Sequence, residues 1–113
     1  MSDGLVAVPN FPGYLITCRG NIWSERSKRW LKPHVDKDTG YLEIQLSLEN
    51  HPPRLVGVHR LLLAAFVGPC PEGMECRHLD GNRLNNKLEN LCWGTHYENI
   101  QDRTRHKQHI RRE

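Results

Sequence analysis

The sequence predicts an α+β fold: a small N-terminal antiparallel β-rich part followed by a strand–loop–strand–helix unit. Three observations lead there. Leu42, Ile44 and Leu46 alternate with Tyr41, Glu43 and Gln45, the period-two pattern of a half-buried strand. His59 to Val67 places Leu62, Leu63 and Phe66 on one helical face and is stopped by Gly68-Pro69. Thr95 with Glu98 three residues on makes a capping box, which opens a second helix after two short apolar runs.

The elements follow in order. Tyr14 to Thr17 and Asn21 to Ser24 flank Cys18-Arg19-Gly20, a hairpin spacing with glycine in the turn. Trp30 to Pro33 is extended, and Asp38-Thr39-Gly40 turns the chain into the alternating strand, with Tyr41, Glu43 and Gln45 expected to face outward. Glu49-Asn50-His51-Pro52-Pro53 reads as a break, after which Arg54 to Val58 pairs back. Beyond the first helix, Gly68 to Gly73 is a second break. Met74 to Leu79 is the next strand, Asp80-Gly81-Asn82 a turn, and Leu91 to Trp93 a strand behind an Asn-rich loop. The final helix is expected from His96 to about His106. His78 then ends one strand and Asn99 lies in the first turns of the helix. The chain divides into a β-rich segment, 1–58, and a second segment, 59–113, within one compact unit.

Composition bounds the function. At 113 residues, 37% apolar and 26% charged, the chain suits one polar globular domain and not a fully disordered one. Its longest apolar run, Leu61 to Val67, is far short of a membrane span. No basic region leads into an apolar one at Met1 to Val6, so no secretory signal is expected. A cytoplasmic protein with reduced thiols follows as the default. The net charge of +3 is unevenly placed: residues 1–76 balance, and residues 77–113 carry eight basic and five acidic side chains. Arg103, Arg105, Lys107, Arg111 and Arg112 crowd the end of the chain. They suit a phosphate backbone, or equally a solvated helix end.

The stretch His78-Leu79-Asp80-Gly81-Asn82, the paired Asn85-Asn86, Asn90-Leu91-Cys92-Trp93 and Glu98-Asn99 resembles the HNH endonucleases, most of all the phage-encoded and homing branch. Upstream, Phe11-Pro12-Gly13-Tyr14 and Gly20-Asn21-Ile22-Trp23-Ser24 resemble the modular DNA-binding segment fused to such nucleases. Leu31-Lys32-Pro33, Gly40-Tyr41 and Val58-His59-Arg60-Leu61 match as well, so the resemblance covers about 8–106.

The resemblance implies a ββα-metal (HNH) hairpin-plus-helix motif that hydrolyses DNA, nicking as a monomer and leaving 5′-phosphate and 3′-hydroxyl ends. It implies that His78 is the general base, Asn99 a ligand of one divalent metal, Mg²⁺ or Mn²⁺, and Asn90 a brace of the loop. The chemistry is coherent: a neutral imidazole deprotonates water near pH 7, and a divalent ion stabilises the phosphorane and the leaving oxygen. One position departs from the family. Homing members carry a metal-binding acid immediately before the base histidine, and here that position is Arg77. His96, Asp80 or His59 could complete the metal shell, Arg77 could contact phosphate, or the chain could bind DNA without cutting it. The last account, a non-catalytic DNA-binding protein on the same scaffold, is the alternative reading.

Cations Arg83, Lys87, Arg103, Arg105 and Lys107 are candidates for backbone contacts with double-stranded DNA. The N-terminal hairpins, with Arg19, Arg26, Lys28, Arg29 and Lys32 near Trp23 and Trp30, form a candidate groove-reading surface. Cys70, Cys76, Cys92 and His96 lack the C-x₂-C spacing of a zinc knuckle, so structural zinc is not expected.

Overall fold

The computed structural model describes residues 5–102. Three antiparallel sheets follow one another along the chain. The first is a four-stranded meander of β1 (Val6–Ala7), β2 (Tyr14–Ile16), β3 (Ile22–Ser24) and β4 (Arg29–Trp30). At the β2–β3 turn, Thr17 Oγ1 accepts the Arg19 and Asn21 amides at 3.3 and 3.1 Å, and Gly20 takes φ +89°. Trp23 and Trp30 pair across β3–β4 with edge-to-face rings 5.2 Å apart.

The second sheet orders β5 (His34–Val35), β6 (Leu42–Leu48) and β7 (His51–Gly57). Here the structure corrects the expected break. Glu49-Asn50 alone makes the turn, with Asn50 at φ +64°, and Pro52 and Pro53 belong to β7. The prolines fit because β7 is an edge strand and its pairing with β6 is irregular between Leu46 and Leu48, opposite them, so neither missing N–H costs a regular ladder bond. Ile44 and Leu46 are buried, as their alternation predicts.

Helix α1 (Val58–Phe66) buries Val58, His59, Leu61, Leu62 and Leu63. Its stripe meets Ile16 and Ile22 of the first sheet, Ile44 and Leu46 of the second, and Cys76 and Leu91 of the third in one core. The third sheet pairs β8 (Glu75–His78) with β9 (Leu91–Gly94), joined through the Asn-rich loop and a 3₁₀ turn (Leu88–Asn90). Trp93 Nε1 donates to Gly68 O at 3.0 Å, fastening this hairpin to the end of α1. Residues 96–102 form helix α2 as far as the structure is described. Its start carries the capping box: the Thr95 amide donates to Glu98 Oε1 at 2.9 Å, and the Glu98 amide to Thr95 Oγ1 at 3.2 Å. No helix among the described residues is long and apolar enough to cross a membrane.

Candidate active site

Strand alternation sorts β8 into two faces. Cys76 and His78 point inward and are buried, while Glu75 and Arg77 point toward α2. His78, 4% exposed, ends the strand. Its Nε2 lies 2.7 Å from Asn86 Oδ1, so an amide of the Asn-rich loop fixes the ring. The ring packs against Tyr41 and His59, with centroids 5.7 and 5.1 Å away, and Tyr41 and His59 stack at 4.6 Å. Burial holds His78 below the ordinary histidine pKa, partly opposed by the Asn86 bond. Tyr41 was expected to face solvent; the ring instead covers the two histidines.

Asn90 is 8% exposed and ties the loop closed. Its Oδ1 accepts the Asp80 amide at 3.0 Å, and its Nδ2 donates to Asp80 Oδ1 and Asn85 O at 3.0 and 2.9 Å. Asp80 also accepts from Asn85 Nδ2 at 2.7 Å and from the Asn82 amide at 2.8 Å. Burial would raise its pKa, yet the bonds from Asn85, Asn82 and Asn90 bring it below the ordinary carboxylate value. The Asp80 carboxylate is thus engaged in stapling the loop.

Arg77 does not point at His78. Its Nε and Nη2 donate to Asp102 Oδ2 and Oδ1 at 2.8 and 3.0 Å, a bidentate pair with a carboxylate only 1% exposed, and Glu98 lies 3.9 Å from Nη1. Its aliphatic stem crosses Gly94, where a Cβ would collide with Arg77 Cδ.

Asn99 and His96 on α2 converge on Glu75. Asn99 Nδ2 donates to Oε1 at 2.5 Å, and His96 Nδ1 lies 3.2 Å from Oε2. The Asn99 bond, with His96 assisting against burial, holds the Glu75 carboxyl below its usual range. Glu75 and Asn99 line a cleft of about 420 Å³ together with Tyr41, Glu43, His59 and Arg60. His59 therefore connects the cleft to His78. Sequence reasoning gave no role to Glu75 or Glu43, and quoted Asn86 only as one of the paired asparagines of the motif; Glu75 stands three residues before His78 on the same strand, with no local pattern to single it out.

Among the candidate cations, Arg83 is engaged inside the molecule: its Nη1 donates to Thr39 O, and its guanidinium lies 5.1 Å from the Tyr41 ring centroid. Lys87 is exposed. Arg103, Arg105 and Lys107 lie outside the described residues. The four cysteines are free thiols, and burial pushes the Cys76 thiol up to about 12.

His59 makes a stability prediction. Burial, with His78 and Arg60 nearby, depresses its pKa from 6.5 to about 3, so the unfolded chain binds a proton that the folded chain refuses. Stability is then full above pH 6.5 and falls as pH drops toward 3, by about 2 kcal/mol at pH 5. Urea unfolding at pH 7 and pH 5 is expected to show a drop about 2 kcal/mol smaller in His59→Gln than in the native chain. An identical drop in both removes His59 as the source.

The comparisons with known proteins agree with this architecture. The HNH endonuclease family model matches residues 56–101. An uncharacterised HNH endonuclease of Acanthamoeba polyphaga mimivirus is 34% identical over 91 residues, covering 80% of this chain and 27% of that protein. DNA endonuclease I-HmuI of Bacillus phage SP01 is 34% identical over 89 residues, covering 79% of this chain and 50% of that protein. The solved structure of DNA binding and cleavage by the HNH homing endonuclease I-HmuI matches with a TM-score of 0.75 at 31% identity, covering 86% of this chain and 55% of that one. The chain spans half or less of the length of these curated relatives. The family model, the relatives and the shared architecture agree: the segment 56–101 matches the HNH endonucleases, and the chain is similar to phage and homing members of that family.

Proposed function

We propose that the chain is a divalent-metal-dependent DNA endonuclease that hydrolyses phosphodiester bonds in double-stranded DNA, nicking one strand per event as a monomer. The observation that carries this reading is the folding of His78 and Asn99, twenty-one residues apart, into one strand–loop–strand–helix unit beside a polar cleft. The structural likeness to I-HmuI, described as binding and cleaving DNA, supports it.

His78 is the general base. Its depressed pKa keeps the imidazole neutral at pH 7. An amide oxygen only accepts, so Asn86 Oδ1 selects the tautomer protonated on Nε2 and leaves the lone pair on Nδ1. Asn90 keeps the loop, and with it Asn86, in place. Asn99 and His96 fit a divalent ion: both reach the Glu75 carboxylate from α2, a mixed oxygen and nitrogen donor set. Bound there, the ion supplies Lewis-acid stabilisation of the phosphorane and the leaving 3′-oxygen. Lys87, Arg103, Arg105 and Lys107 contribute salt-dependent affinity for the backbone, whereas Arg83 is committed to Thr39 and Tyr41.

Incubation with supercoiled plasmid is expected to yield open circles in Mg²⁺ or Mn²⁺ and none in EDTA. Plasmid left intact across metals and DNA forms removes the enzyme reading, and a mobility shift under those conditions favours the DNA-binding alternative.

A further inference from the structure

We propose that Glu75 supplies the carboxylate of the divalent-cation site, shared with Asn99 and His96; this rests on the metal-dependent reading above. Position 77 cannot serve, because it holds a guanidinium already clamped by Asp102. Glu75 lies two residues earlier on β8 and therefore on the same face, toward α2. One oxygen meets Asn99 at 2.5 Å and the other faces His96 at 3.2 Å. Residues 96 and 99 share a helix face by their spacing, so the three side chains form one convergent set.

A second observation points to a ligand in the same cleft. Glu43 Oε1 and His59 Nδ1 are buried and have no hydrogen-bond partner among the described residues, and both residues line the cleft with Glu75 and Asn99. His59 is 7% exposed. Buried polar atoms are otherwise paired almost without exception. The water ligands of a hydrated cation are donors and satisfy such acceptors. Among the described residues no three His, Cys, Asp or Glu side chains form a metal cluster. Protein donors are thus few, and the Asn99 amide turns its oxygen to the ion. Water and a phosphate oxygen fill the remaining positions, the habit of Mg²⁺ and Mn²⁺.

Mn²⁺ titration of the full chain, followed by the free-ion electron paramagnetic resonance signal, tests the assignment. Glu75→Gln is expected to weaken Mn²⁺ binding at least about ten-fold with the thermal midpoint preserved. Asn99→Ala weakens it as well, and Glu72→Gln, an exposed control, leaves it unchanged. A Glu75→Gln protein that binds Mn²⁺ as the native chain does overturns the inference, as does a native chain that binds no Mn²⁺. Plasmid nicking by the same preparations separates the two proposals. Native nicking with unaltered Mn²⁺ binding in Glu75→Gln removes Glu75 alone. Mn²⁺ held through Glu75 without any nicking removes the nuclease reading alone.

Discussion

His78→Ala is expected to lower plasmid nicking by about a thousand-fold or more, the range general-base catalysis supplies. The side chain is buried against Tyr41 and His59, so its truncation leaves a cavity. His78→Gln fills that space and is expected to be as inactive while unfolding at nearly the native temperature. Equal nicking by either folded variant removes His78 as the base. The pH profile gives a second test. A base acts when neutral, and burial, opposed by the Asn86 bond, holds His78 below the ordinary value of 6.5. Its neutral fraction therefore persists to lower pH, and the acid limb of kcat/KM is expected below pH 6.5. A limb above that value assigns the proton transfer to another group.

How much of this was legible in the sequence depends on the range of the interactions. Local devices read directly. The alternation of Leu42, Ile44 and Leu46, the stop at Gly68 and the Thr95–Glu98 capping box are set by neighbours within five residues. The placement of His78, Asn90 and Asn99 on strand, loop and helix followed from the same local signals. What sequence could not supply was the identity of long-range partners. Pro52 and Pro53 reversed their meaning because β7 lies at a sheet edge and opposite an irregular stretch of β6, both properties of the whole sheet. Tyr41 alternates outward from the apolar core, yet that outward face is covered by His59 from α1 and His78 from β8. Glu75 was passed over for a related reason: its significance lies in Asn99 and His96, more than twenty residues away.

Arg77→Met is expected to destabilise the fold by about 3 kcal/mol, because it strips an almost fully buried carboxylate of two charge-assisted hydrogen bonds. This result decides what the departure at position 77 means. An arginine serving the scissile phosphate leaves stability nearly unchanged when removed and lowers activity at every denaturant concentration. An arginine that clamps β8 to α2 does the reverse: the chemical midpoint falls, and the protein that remains folded still nicks. The geometry favours the clamp, since both donors that reach Asp102 are turned toward the helix, and Asp102, Glu98 and the bare backbone of Gly94 together shape a channel for the side chain. Glu75, Asn99 and His96 share that strand–helix interface. A double-mutant cycle with Asp102→Asn, read by urea unfolding, is expected to give a coupling of about 2 kcal/mol. A coupling near zero returns Arg77 to the phosphate. In the clamp account, the cation that replaces the expected acid is tolerated because it holds the hairpin against the helix, and the carboxylate of the site enters from Glu75, two residues back on the same face of the strand.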